Sequence, residues 1–126
     1  GGMNQLEKFL QLRAFVNHFE SKGLVYGASF SEFVILRAIE REGSAGIRRV
    51  DLAKSVDLSV SGVTRALQPL EKQGYVSQQE SALDARERRV VLTDSGKVLF
   101  DDIAANVDQR LEQTTAEFAS LLAELR

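Results

Sequence analysis

At Gly74 the hydrophobic period of the chain changes, and nothing else in the sequence restricts the fold so strongly. Before it, apolar residues recur at three- and four-residue steps, the spacing that gives a helix one buried face. After it come two extended runs rich in β-branched and aromatic residues, Tyr75 to Gln79 and Arg89 to Thr93. They are separated by the polar, basic segment Glu80 to Arg88, so they read as a hairpin with an exposed loop. Gly74 itself suits the left-handed position that closes a helix.

The helical part before Gly74 is punctuated. Leu6, Phe9, Leu10, Leu12, Phe15, Val16 and Phe19 form one broad face over residues 4–22, and Gly23 to Gly27 interrupts it. A second helix starts at Ser31, carries Phe33, Val34, Leu36 and Ile39, and ends near Gly43, with Gly43 to Gly46 as a turn. Ile47 to Val50 fits either a short strand or an extended entry to the next element. Val50, Leu52, Ala53 and Val56 then stand at helical steps, and Asp57 to Ser59 makes a short break. Ser59 is a good N-cap for a third run through Val63, Ala66, Leu67 and Leu70 to Gln73. Pro69 lies inside that run, where it removes a hydrogen bond to the Arg65 carbonyl and predicts a mild kink. After the hairpin, Asp94 is expected to cap a long helix with Val98, Leu99, Ile103, Val107 and Leu111 on one face. A break is expected near Gln113, where Thr114 and Glu117 can form a capping box before Phe118, Leu121, Leu122 and Leu125.

Composition narrows the function. The 126 residues include 44% hydrophobic and 27% charged side chains and one proline, which predicts a single folded domain. No apolar run approaches the roughly 20 residues that span a bilayer and no export signal is visible, so no membrane partner and a cytoplasmic location are expected. The absence of cysteine removes disulfides, thiolate metal sites and thiol redox sensing. One histidine, His18, leaves little for a histidine metal site or catalytic dyad, and it reads as a solvated or interface residue rather than a sensor. Asp101 and Asp102 are adjacent rather than helically stacked, which argues against a metal there. No phosphate loop, nucleophile elbow or metal-ligand spacing is present, so neither an enzyme nor a cofactor is expected. Gly1 and Gly2 before Met3 look like a cloning remnant and carry no weight.

The net charge of −2 alone argues against indiscriminate nucleic-acid binding. Its distribution says otherwise: residues 97–126 hold three basic and six acidic side chains, whereas Arg86, Arg88 and Arg89 fall within four positions of the hairpin loop. A short helix, a tight turn, a second helix with small polar residues at its start and a hairpin with an arginine-rich loop is the order of a winged helix-turn-helix. On DNA the second helix enters the major groove, and the loop reaches phosphates or the adjacent minor groove.

The residues in this order resemble the MarR family of bacterial transcriptional regulators. The family's first-helix pattern stands as Val50-Asp51-Leu52-Ala53, and its recognition-helix pattern as Ser59-Val60-Ser61-Gly62-Val63-Thr64-Arg65 followed by Leu70-Glu71-Lys72-Gln73-Gly74. Its wing pattern stands as Asp84-Ala85-Arg86, Val90-Val91-Leu92-Thr93 and Gly96. Three departures are visible: Gly62 stands where a Thr or Ser is frequent, Ser77-Gln78-Gln79-Glu80 lacks an arginine common in the family, and the C-terminal section is short.

The resemblance implies a mainly α (α+β) fold, a winged helix-turn-helix with a short β-hairpin wing and flanking dimerisation helices. Residues 1–126 would form one such domain, with the DNA-binding core at 30–96 and dimerisation helices at 3–24 and 95–126. Ser59, Ser61, Gly62, Thr64 and Arg65 would face the major groove and its phosphates, and Arg86 and Arg88 would contact DNA from the wing. Asp84 would pair with a nearby arginine to shape the loop, while Val63, Ala66, Leu67 and Leu70 would be buried. The partners implied are a palindromic double-stranded DNA operator, a second copy of the chain and a small, often aromatic, effector that relieves repression. Phe9, Phe15, Phe19, Phe30 and Phe33 fit an effector pocket and plain core packing equally well. A different class of function, a winged protein-interaction module without ligand response, is separated by salt, since DNA affinity carried by arginines falls steeply as salt rises.

Overall fold

The computed structural model describes residues 4–80, Asp84 and 86–124. Among these residues six helices and one hairpin follow in the order α1 (Gln5–Ser21), α2 (Phe30–Arg41), α3 (Arg49–Ser55), α4 (Val60–Lys72), β1 (Val76–Glu80), β2 (Arg88–Leu92), α5 (Asp94–Gln113) and α6 (Thr115–Glu124), with short 3-10 turns at Val25–Gly27 and Gly43–Ala45. Two compact units divide the chain: Ser31–Asp102 form one, and Gly1–Phe30 with Ile103–Arg126 the other. Leu125, expected on the last helical face, lies outside the described residues, as does Ala85 of the wing pattern.

The core of the first unit follows the periodicities. Ile35, Leu36 and Ile39 of α2, Leu52 and Ala53 of α3, and Val63, Leu67 and Leu70 of α4 are buried, together with Val76, Val90, Val91 and Leu92 of the hairpin. Ala66 was expected among them but is only half-buried, and Val34 is largely exposed. The strands pair antiparallel from Val76↔Leu92 to Glu80↔Arg88. Each therefore lies one residue from its expected position. The cause is the end of α4: the amide of Gly74 donates to the Glu71 carbonyl (3.0 Å) and that of Tyr75 to the Leu70 carbonyl (2.9 Å). This is a Schellman closure with Gly74 at φ +82°, and it uses the Tyr75 amide before the ladder begins. Of the ambiguous stretch Ile47 to Val50, Ile47 alone extends the sheet, exchanging two backbone hydrogen bonds with Val90 (3.0 and 2.8 Å).

Gly46 permits that exchange. At φ +73° and ψ −179° it occupies a conformation open only to glycine, and a Cβ there would meet Val91 Cγ1 at 2.9 Å and the Val90 carbonyl oxygen at 3.0 Å. Gly46→Ala is expected to destabilise the protein by about 2 kcal/mol from backbone strain and overpacking together. Urea unfolding followed by circular dichroism measures it directly.

Two capping expectations are corrected. Thr93, not Asp94, caps α5: its hydroxyl accepts from the Gly96 amide (3.1 Å) and its carbonyl from the Lys97 amide (2.9 Å). The helix does break after Gln113, yet the Thr114 hydroxyl turns back to the Arg110 and Leu111 carbonyls (3.3 and 3.1 Å) instead of forming the box with Glu117. The break is thus held from the end of α5.

In the second unit Phe15 stacks between Phe19 and Phe118, at centroid distances of 6.3 and 5.5 Å, and Phe30 meets Phe19 edge-on at 5.8 Å. Arg110 lies over the Phe19 ring at 4.3 Å and donates to the carbonyls of Phe19 (2.8 Å) and Gly23 (2.6 Å), which closes the C-terminal end of α1. The α1 face read as apolar is largely uncovered: Leu6 is 65%, Phe9 60% and Leu10 49% exposed.

Candidate nucleic-acid interface

The turn between α3 and α4 is built from backbone rules. The Val56 amide donates to the Leu52 carbonyl (3.1 Å), the last helical bond of α3, and the Leu58 amide reaches back to the Ala53 carbonyl (3.0 Å), the six-to-one bond of a Schellman-type ending. Its left-handed residue is Asp57 at φ +56°, and aspartate tolerates that region better than most side chains. Only four residues therefore separate α3 from α4.

At that start Ser59 accepts the Gly62 amide (3.0 Å), and its hydroxyl lies 3.2 Å from that of Ser61. A Cβ on Gly62 would stand 3.1 Å from the Ser59 hydroxyl, so this glycine leaves room for the cap. Ser59→Ala is expected to cost about 1 kcal/mol, the usual worth of an N-cap, and a fall in the urea midpoint reports it. Ser61 and Arg65 are exposed and Thr64 is half-buried, while Val63, one position away, is fully buried. Val60 and Gln68 extend the same exposed face. Neither residue type marks a functional face, although the four-residue steps Val60, Thr64, Gln68 carry the signal. Arg65 takes part in no ion pair among the described residues.

The wing is shaped by Asp84. Its Oδ1 accepts the Arg86 amide (2.9 Å) and faces the Arg86 Nε (3.4 Å), while its carbonyl accepts the Glu87 amide (3.0 Å). An aspartate bonding the amide two residues on is a turn former in its own right. The Arg86 side chain stays 93% exposed. Arg88 is also exposed, opposite Glu80 in the ladder, whereas Arg89 is held by Glu87 (2.8 Å). Of the three arginines, then, Arg89 is held closely within the hairpin, while Arg86, despite its longer contact with Asp84, stays open to solvent.

Arg48, just before α3, donates to Asp51 (2.9 Å) and lies 3.8 Å from Glu87. The hydrogen bond from Arg48 holds the Asp51 carboxyl below the usual carboxylate range. A depressed value means the pair supports folding at neutral pH, and that support disappears as pH falls through the folded-state value. Both side chains are exposed, so the effect is small.

The wing is fastened to α5 at its base. Thr93 and Ser95 hydroxyls both donate to the Gly74 carbonyl (2.5 and 2.9 Å), the Thr93 amide donates to the Tyr75 carbonyl (3.0 Å), and Gly96 lies directly against that Tyr75 carbonyl. This accounts physically for the Thr-x-x-Gly spacing. Among the described residues no cluster of acidic or histidine side chains could hold a metal ion, and no helix is long and apolar enough to cross a membrane.

A tight-turned helix pair, the second helix capped by serine and exposing Ser61 and Arg65, with a hairpin carrying an exposed guanidinium beside it in sequence, defines a winged helix-turn-helix DNA-binding protein. The sequence profile of the MarR family matches residues 29–87. The HTH-type transcriptional regulator YwhA of Bacillus subtilis, itself uncharacterised, is 34% identical over 99 residues, covering 72% of this chain and 70% of that one. Among solved structures, a mutant of MepR from S. aureus superposes with a TM-score of 0.74 at 18% identity, covering 98% of this chain and all of that one. Another MepR mutant, bound to an oligodeoxyribonucleotide, gives a TM-score of 0.68 at 17% identity and the same coverage of both chains. CouR from Rhodococcus jostii RHA1, bound to p-coumaroyl-CoA, gives 0.61 at 20% identity over 79% of this chain and 74% of that one. The chain belongs to the MarR family and is a DNA-binding transcriptional regulator, not an enzyme.

Proposed function

We propose that the chain acts as a homodimeric repressor of a palindromic operator in the bacterial cytoplasm. The observation that carries this is the exposed edge of α4, Ser59, Ser61, Thr64 and Arg65, on a helix whose other face is buried core. That edge would lie in the major groove, with Gly62 allowing close approach of the backbone, and Arg86 and Arg88 would reach phosphates or the minor groove from the wing. One winged unit reads few base pairs, whereas two recognition helices about 34 Å apart read both halves of a palindrome. Residues 30–96 would serve as the DNA-binding core, and the helices at 3–24 and 95–126 as the dimer interface. The exposed Leu6, Phe9 and Leu10 of α1 and Leu122 of α6 support that assignment, since such a face is normally covered. MepR bound to an oligodeoxyribonucleotide and CouR bound to p-coumaroyl-CoA support DNA and an aromatic effector as partners.

The test is selection from a random duplex library at moderate salt, with the enriched sequences read out. A palindrome with half-sites one helical turn apart is the expected product, and its release by aromatic acids or their thioesters then identifies the effector class. Failure of the folded protein to enrich any sequence would favour the interaction-module reading instead.

A further inference from the structure

The geometry points to Glu71 as a positioning residue that sets the wing against the recognition helix. Its carboxylate, on the last turn of α4, accepts a hydrogen bond from the Gln78 side-chain amide of β1 at 2.6 Å (Nε2 to Oε1). The same oxygen lies 3.9 Å from Nη2 of Arg49, the first residue of α3. Three elements of the winged unit thus converge on one half-buried carboxylate.

Two observations make this more than an incidental contact. Thr93, Ser95 and Gly96 fasten the base of the hairpin, where Val76 pairs with Leu92, and Ile47 holds β2 through Val90, so beyond Val76 it is Glu71 that ties β1 to α4. Gln78 pairs with Val90, two residues nearer the tip, so the Glu71 contact restrains the part of the hairpin that carries Asp84 and Arg86. Further, among the described residues Arg49 Nε is buried without a hydrogen-bond partner, and the ion-pair partner of its partly exposed guanidinium is the Glu71 carboxylate, 3.9 Å from Nη2. The segment Ser77-Gln78-Gln79 contains no cation, and α3 supplies one from outside the hairpin. Removing the carboxylate releases Gln78 and the Arg49 pair, which widens the range of positions that β1 and the wing tip take up against α4.

The DNA consequence rests on the proposed Arg86 contact, whereas the positional one does not, and the two are measured separately. The chain has no cysteine, so spin labels enter cleanly at Gln68→Cys on α4 and Glu80→Cys at the end of β1. In free protein the label-to-label distance distribution is expected to be narrow, and to broaden or shift in Glu71→Ala. Gln78→Ala removes the same bond from the strand side and is expected to act alike, which keeps the test decisive if Glu71→Ala does not fold. A distribution unchanged by the folded variants overturns the proposal. On operator DNA, Glu71→Ala is expected to weaken binding about tenfold alone and less than twofold in an Arg86→Ala background, because a residue acting through the wing has nothing left to position. Equal losses in both backgrounds overturn it, since a merely stabilising residue is indifferent to Arg86. If Arg86→Ala alone leaves affinity unaltered, the wing reading fails, and the spin-label distances still decide the role of Glu71.

Discussion

Arg86→Ala is expected to lower operator affinity by about 30- to 150-fold while leaving stability and dimerisation unaltered. For the proposed dimer the estimate takes about 1–1.5 kcal/mol for each of two solvent-exposed contacts, one per protomer. Stability is spared because the side chain is 93% exposed and its ion pair with Asp84, at 3.4 Å, is a surface pair. If Arg86 meets one phosphate in each protomer of the proposed dimer, its loss also flattens the dependence of log affinity on log salt by about 1.8. Fluorescence anisotropy across a salt series gives both quantities. A variant with weaker binding but an unaltered salt slope would show that Arg86 acts through loop shape rather than by meeting the nucleic-acid backbone. Arg89→Ala, which disrupts an ion pair internal to the hairpin, is the matched control.

Gly96→Ala is expected to destabilise the protein by about 3 kcal/mol or more, which lowers Tm by roughly 10 °C for a chain of this size. In an ordinary helix the same change would stabilise, by about 1 kcal/mol. The sign is reversed because Gly96, in the first turn of α5, touches the backbone of Tyr75, and a Cβ would occupy the space of the Tyr75 carbonyl oxygen. That oxygen also accepts the Thr93 amide, so it cannot move without breaking the join between wing and helix. Scanning calorimetry checks the prediction, and a Tm at or above that of the parent would refute the packing described here.

Much of this was legible in the sequence because local rules suffice for it. Ser59 caps α4, Gly74 closes it in a left-handed conformation, and the buried positions Val63, Leu67 and Leu70 follow the helical period. Asp84 shows the same on the wing, where its bond to the Arg86 amide spans only two residues. The failures are equally instructive. Asp94 looked like a cap, yet Thr93 takes that role because its hydroxyl can also reach Gly74, nineteen residues earlier. Thr114 and Glu117 have capping-box spacing, yet the hydroxyl bonds back along α5. Val60 and Gln68 belong to the exposed face of α4, but neither residue type announces a DNA contact.

What the sequence by itself determined is therefore the list of elements, their order and which edge of α4 stays out of the core, since helix period, capping and turn chemistry act over a few residues. Only the tertiary structure decided which hairpin arginines stay open to solvent, that Ile47 completes the sheet, that Gly96 must lack a side chain and that Glu71 meets both Gln78 and Arg49. Each of those depends on groups brought together from different elements, and the energy of such a contact depends on a distance that residue spacing does not encode.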